Sequence, residues 1–135
     1  MTKIAIVGSR YMSAYGKKVI EELMNFLKNK AEVVTIQVMG CNSEIIKKGA
    51  KKIFEGKNFQ KLNNDVADYA DILVIIEGGQ KSGTILLAES FIEKGKGVFC
   101  VPGRITDEGS NATNWLIKQG AIPLIKMEDL TEVLQ

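Results

Sequence analysis

The chain has 135 residues, 45% of them hydrophobic and 25% charged, which is enough for one compact domain with a real core and too little for a two-domain enzyme. Its 18 basic and 16 acidic residues leave a formal charge of +2, so an anion-binding surface has to come from local placement of charge. Histidine is absent, which excludes Ser-His-Asp and Cys-His nucleophile systems and His-ligated metal sites, and Cys41 and Cys100 lack the C-x-x-C spacing of a zinc ribbon or redox dithiol.

In chain order, Lys3 to Val7 is a short apolar run that ends at Gly8, and Ser13 to Lys28 carries Val19, Ile20, Leu23, Met24 and Leu27 at helical spacing. Glu32 to Val38 is rich in β-branched residues and ends near Gly40. Ser43 then opens a basic helix with Ile45, Ile46, Ala50, Ile53 and Phe54 as its apolar positions. The Lys47 to Lys61 interval is the one charge run, and it is expected to be a solvated helix face. Ile72 to Ile76 is wholly apolar, as a strand buried on both faces requires, and Gly78 and Gly79 end it. Thr84 to Lys94 is an amphipathic helix stopped by Gly95, and Gly97 to Val101 is a strand halted at Pro102-Gly103. Asn111 caps a helix to Gln119 in which Trp115 is expected to face the core. Ala121 to Ile125 forms a last strand, placed at an edge by Pro123, and Glu128 to Leu134 a closing helix.

Strands alternating with helices predict an α/β Rossmann-like, doubly wound and mostly parallel sheet of about five strands, with helices on both faces, over residues 1–135. Such sheets bind ligands beyond the carboxyl ends of their strands. Both arginines of the chain, Arg10 and Arg104, fall in those loops, whereas the other 16 basic residues are lysines. No apolar run approaches the ~18 residues of a membrane span, and Met1 to Val7 leads straight into a strand, so a cytoplasmic protein is expected.

Three loops carry the chemistry. Gly8, Ser9 and Arg10 follow a strand and precede a helix, where free N–H groups and the helix dipole favour phosphate; G-x-G-x-x-G is absent, so no dinucleotide fingerprint is present. Glu77 to Thr84 is richer: Gly78, Gly79 and Gly83 permit close backbone approach, Lys81 brings charge, and Ser82 and Thr84 bring hydroxyls at a helix start. Lys81 precedes Gly83, which is not the Walker A order. The long loop from Pro102 to Asn111 carries Arg104, either as a third anion contact or as the partner of Asp107 and Glu108 in a surface ion pair. Cys100 is expected to be a core thiol and Cys41 to sit in a loop, open to solvent. Tyr11, beside Arg10, is the better base-stacking candidate. The residues expected to bind nucleic acid or phosphate are thus Gly8, Ser9, Arg10, Gly79, Lys81, Ser82, Gly83, Thr84 and Arg104, with no metal, no cofactor and no catalytic residue.

Ile4-Ala5-Ile6-Val7-Gly8-Ser9-Arg10 with Ser13 and Tyr15-Gly16 resembles the opening of the DNA-processing protein A (DprA/Smf) family. Lys81-Ser82-Gly83-Thr84 with Ala88, Gly95 to Gly103, Gly109-Ser110-Asn111, Leu116-Ile117 and Gly120-Ala121 resembles that family's second half. Between them the sequence departs: Val34 to Ser43 replaces a glycine-rich motif, and Leu62-Asn63-Asn64 stands where the family has an asparagine flanked by arginines. The resemblance implies a Rossmann core that binds single-stranded DNA in a basic pocket, matched here by Arg10 and Lys81, and passes it to a recombinase, often as a homodimer. It implies a DNA-processing or recombination-mediator role, and catalysis is not expected. The alternative is a likeness to LOG-type nucleotide-binding proteins and nucleoside-monophosphate phosphoribohydrolases, echoed by Gly78-Gly79 and Gly83-Thr84. Leu87 holds the position of their catalytic carboxylate and Glu89 points elsewhere, which leaves Glu77 as the one nearby acid.

Overall fold

Period-2 patterning builds two cores, one on each side of a single sheet. In the computed structural model, which describes residues 1–134, β1 (Lys3–Val7) turns Ile4 and Ile6 to one face and Ala5 and Val7 to the other. The strand β4 (Ile72–Ile75) divides in the same way, Ile72 and Val74 against Leu73 and Ile75, and all four are buried. On the first face lie α1 (Ala14–Leu27), which buries Val19, Ile20, Leu23, Met24 and Leu27, and α2 (Cys41–Lys47), which buries Cys41 and Ile45. On the second lie α3 (Phe59–Tyr69) with Val66 and Ala67, α4 (Thr84–Glu93) with Leu87, Ala88 and Phe91, and α5 (Asn111–Lys118) with Leu116. With β2 (Glu32–Ile36), β3 (Lys52–Phe54), β5 (Gly97–Cys100) and β6 (Ile122–Pro123), the sheet has six strands in the order β3-β2-β1-β4-β5-β6, and every pairing is parallel. This is the expected α/β Rossmann-like architecture.

The extra strand comes from a segment expected to be helical. The helix at Ile45 stops at Gly49, whose φ of +116° is incompatible with its continuation. Ile53 and Phe54 therefore belong to β3, where Thr35 pairs with Ile53 and Ile36 with Phe54. The Lys47 to Lys61 run is accordingly not one helix face; it crosses the end of α2, β3 and the start of α3. Gly40, not Ser43, is the residue before α2, and Ser43 donates from inside the helix to the Val38 carbonyl. Similarly Ser110, not Asn111, precedes α5. The closing helix is a 3-10 segment, Met127–Val133, and Trp115 is half-exposed instead of facing the core. Pro123 does lie in an edge strand. No helix among the described residues is long and apolar enough to cross a membrane.

One lysine performs a structural task. Lys96, just ahead of β5, donates from Nζ to the carbonyls of Ala67, Asp68 and Ala70 at 2.6, 3.1 and 2.8 Å, and so satisfies the carboxyl end of α3 with a positive charge. Lys96→Met keeps most of the stem and removes all three donors. It is expected to cost about 2 kcal/mol, seen as a lower urea midpoint with unchanged slope. A midpoint within error of the parent's contradicts this capping role.

Candidate functional site

The chain runs outward from β1 through β2 to β3 on one side and from β4 through β5 to β6 on the other, so the strand order switches direction between β1 and β4. Loops leaving the carboxyl ends of those two strands diverge and leave a crevice. A cleft of about 590 Å³ opens there. Ser9, Arg10 and Tyr11 come to it from the β1–α1 loop, and Gly79, Gln80, Lys81, Ser82, Gly83 and Thr84 from the β4–α4 loop. Its apolar lining is Val7, Ile36, Val38 and Leu87, with Phe59 and Asn63 one turn apart on α3.

The first loop is shaped by tight packing. A Cβ on Gly8 would stand 2.7 Å from Cys41 Cβ and 3.3 Å from Ile76 Cβ, so only glycine lets β1 end against α2. The Gly8 N–H donates to Asn42 Oδ1 at 2.9 Å, while Asn42 Nδ2 donates to the Ile36 carbonyl, tying the ends of β1 and β2 together. Ser9 Oγ accepts from the Tyr11 N–H at 2.9 Å, and the Ser9 carbonyl accepts from Cys41 N–H. Gly8 therefore serves as a spacer whose own N–H is already engaged, and Arg10 and Tyr11 are left projecting at the rim.

Glu77 holds the start of α1. Nearly fully buried, it accepts from the Ser13 N–H at 2.8 Å and from Ser13 Oγ at 2.6 Å, and Ser13 Oγ in turn caps Gly16 N–H. The positive end of the α1 dipole is thus met by an internal carboxylate, and a phosphate at the first loop would have to rely on Arg10. Cys41 Sγ lies 3.5 Å from Glu77 Oε2. Burial, then the neighbouring Glu77 charge, pushes the Cys41 thiol up to about 12, and burial alone does the same for Cys100. Cys41 is fully buried at the start of α2, not open to solvent, and neither cysteine is a nucleophile at neutral pH. Tyr15 is likewise shifted upward by burial and by Glu77, and its hydroxyl donates to the Pro102 carbonyl.

The second loop is fastened from behind. Gly78 N–H donates to the Gly109 carbonyl at 2.7 Å, and its own carbonyl accepts from Ala112 N–H, which fixes the loop to the start of α5. Ser82 and Thr84 share a hydroxyl hydrogen bond of 2.8 Å at the N-terminus of α4, and Ser82 Oγ accepts from the Thr84 N–H at 3.2 Å. Lys81 is exposed beside them. Neither Arg10 nor Lys81 has an acidic partner within 4.0 Å among the described residues.

Arg104 is the exception. Its Nε donates to Asp107 Oδ2 at 3.0 Å, and it lines a separate depression with Tyr15, Pro102, Gly103 and Asp107. The ion-pair alternative describes it, and it does not converge with Arg10 and Lys81. The acid that faces the cleft is Glu108, not Glu77. Leu87, at the position the phosphoribohydrolase likeness gives to a catalytic carboxylate, is buried against the cleft, and Glu89 is exposed outside it. Among the described residues no cluster of His, Cys, Asp and Glu is placed to hold a metal. Phe59 and Asn42 were not singled out from the sequence, Asn63 entered only as the asparagine of the family segment that has lost its arginines, and Glu108 only as a candidate partner of Arg104. The signal that could have found Phe59 and joined it to Asn63 is Asn58, which caps α3 by accepting from Lys61 N–H and puts Phe59 and Asn63 on one helix face.

Comparison with known proteins places this cleft in context. A family model described as DNA recombination-mediator protein A matches residues 43–135. Protein Smf of Escherichia coli is 36% identical over 78 residues, which are 58% of this chain and 21% of that protein. DNA processing protein DprA of Bacillus subtilis is 25% identical over an alignment covering 98% of this chain and 59% of its own length. The chain therefore spans about a fifth of the first of these relatives and just under three fifths of the second. Among solved structures, DNA processing protein A from Helicobacter pylori, described for its single-stranded DNA binding mode, superposes with a TM-score of 0.85 at 21% identity, covering 98% of this chain and 79% of its own. At that identity the likeness establishes the fold.

Proposed function

The chain belongs to the DNA recombination-mediator protein A family, and from that premise we propose that the cleft between β1 and β4 binds single-stranded DNA as part of DNA processing or recombination. The observation that carries the reading is the pairing of two uncompensated cations, Arg10 and Lys81, with an apolar lining that includes the half-exposed ring of Phe59. Phosphates take the rim, where Arg10, Lys81 and the positive end of the α4 dipole attract anions. An unstacked base takes the apolar lining and finds an aromatic face in Phe59 or the fully exposed Tyr11. A duplex hides its bases, so a cleft of this form favours the single strand. A recombinase as protein partner, which the family description supports, belongs to the same reading, as do a homodimer as assembly, one domain over residues 1–135 and a cytoplasmic setting, the last in keeping with two unpaired, buried thiols.

The test is a side-by-side titration with a single-stranded oligonucleotide and nucleoside monophosphates. Oligonucleotide binding well above that of any monophosphate is expected. Release of free base from a monophosphate is not, because no carboxylate stands at Leu87 to support a cationic sugar-like transition state. Base release abolished by Glu108→Gln, with the fold retained, would overturn the reading in favour of the phosphoribohydrolase alternative.

A further inference from the structure

Six of the 18 basic residues and one of the 16 acidic ones fall in residues 47–61, so the other 120 residues carry a net charge of −3 and the whole positive excess of the chain sits in this interval. The fold lays it along one edge of the sheet. Lys47 and Lys48 close α2, Lys51 and Lys52 lead into the edge strand β3, and Lys57 and Lys61 stand on either side of Phe59 at the start of α3. All six are exposed. Lys48 and Lys61 meet Glu44 and Asp65 at 3.9 and 2.7 Å, and Lys52 Nζ lies over the Phe54 and Tyr69 rings. Lys47, Lys51 and Lys57 have no acidic partner within 4.0 Å among the described residues. Lysines on an edge strand deter pairing with another chain. That task does not account for this run, because β3 is only three residues long and the lysines continue past both of its ends.

We propose that the β3 edge is a second nucleic-acid surface, a basic track that takes the phosphate backbone of a single strand after it has left the cleft. This rests on the single-stranded DNA reading above and adds a surface outside the cleft, on the far side of β2 from the Arg10 loop. The route is continuous. Ile36 lines the cleft and is the partner of Phe54 in β3, and Phe59, which also lines the cleft, lies between Lys57 and Lys61. From Lys57 back to Lys51 the chain spans at most about 20 Å, a length that several successive phosphates cover. Ammonium groups on flexible stems act as point charges and read no base edge, so the track fits a repeating anion of any sequence. An acidic protein segment matches the sign of the charge but has no such route from the cleft.

The experiment compares two oligo-dT strands on the full chain across a salt series, one of about 5 nucleotides and one of about 20, which bracket the usual range of single-strand sites. The short strand occupies the cleft alone. The long one reaches the track, and is expected to bind about tenfold more tightly at low salt after correction for the registers it offers. Its slope of log affinity against log salt is expected to be steeper by about 2, from three further contacts at about 0.7 each. In the combined variant Lys47→Gln, Lys51→Gln and Lys57→Gln, the ratio of long to short and the extra slope both collapse. All three side chains are exposed and unpaired with acids, so the fold tolerates their neutralisation. A control that removes the same charge elsewhere, Lys18→Gln, Lys28→Gln and Lys118→Gln, keeps the gain. Equal slopes for the two strands on the parent overturn the proposal, whether or not the variant folds. So does a gain that survives in the edge variant or is lost equally in the control. Failure of both strands to bind the parent is a different failure, that of the single-stranded DNA reading itself.

Discussion

Arg10→Ala is expected to lower affinity for single-stranded DNA ten- to a hundredfold, the loss of one charge-assisted contact of roughly 1.5–3 kcal/mol, and Lys81→Ala to act comparably. Both side chains line the cleft from opposite loops, and neither is neutralised by an acid among the described residues, so their charge is available to a phosphate. Each substitution also removes a released counterion. The slope of log affinity against log salt should therefore become shallower by about 0.7 per residue on a single strand. Arg104→Ala is the internal control. That guanidinium is already engaged by Asp107 and faces another depression, so its removal should change affinity less than about twofold, within the range of a weak exposed ion pair. Anisotropy titrations of a labelled oligonucleotide at fixed salt separate these outcomes; an Arg104 effect equal to that of Arg10 would contradict the assignment.

Gly16→Ala should be among the most damaging single-methyl changes in the chain. A Cβ there would stand 2.1 Å from Glu77 Oε2 and 2.6 Å from its Cδ, and Glu77 is only 5% exposed, so the carboxylate cannot swing into water. Displacing it breaks both bonds to Ser13 and leaves a buried charge without donors, a loss of roughly 3–5 kcal/mol against a gain of up to about 1 kcal/mol in helix propensity. A net destabilisation of about 3 kcal/mol is expected in urea unfolding. The same loop carries Arg10, so DNA affinity falls with it. Glu77→Ala removes the obstacle, and in that background Gly16→Ala should be neutral or stabilising. The cycle gives a coupling of more than about 2 kcal/mol if the contact is as described and near zero if it is not.

The central strands could be read from residues 1 onward because burial on both faces leaves an unmistakable apolar run, as at Ile72 to Ile76. The turn from α2 into β3 could not, since Ile45, Ile46, Ala50 and Ile53 satisfy a helical period and only the positive φ of Gly49 breaks it. β3 is also a short edge strand whose Lys52 and Ile53 are exposed, so little core signal marks it. The loops that carry Arg10 and Lys81 were legible because the topology sends both to one sheet edge. Arg104 was misleading for a local reason: Asp107, three residues on, captures it. Glu108, not Glu77, is the acid at the cleft because sequence order does not say that Ser13 holds Glu77 inward. Asn63 was visible only through the family resemblance, because its burial at the cleft is a tertiary property that no local pattern marks.

The most direct measurement of the central claim is the affinity of the intact chain for one oligonucleotide, single-stranded and annealed to its complement, across a salt series. With Arg10 and Lys81 as the phosphate contacts, the single strand should bind more tightly than the duplex at every salt concentration. Its log–log slope should be about −1.4 for a strand confined to the cleft, from two contacts at about 0.7 each. An affinity that does not change with salt, or a duplex bound as tightly as the single strand, would contradict it.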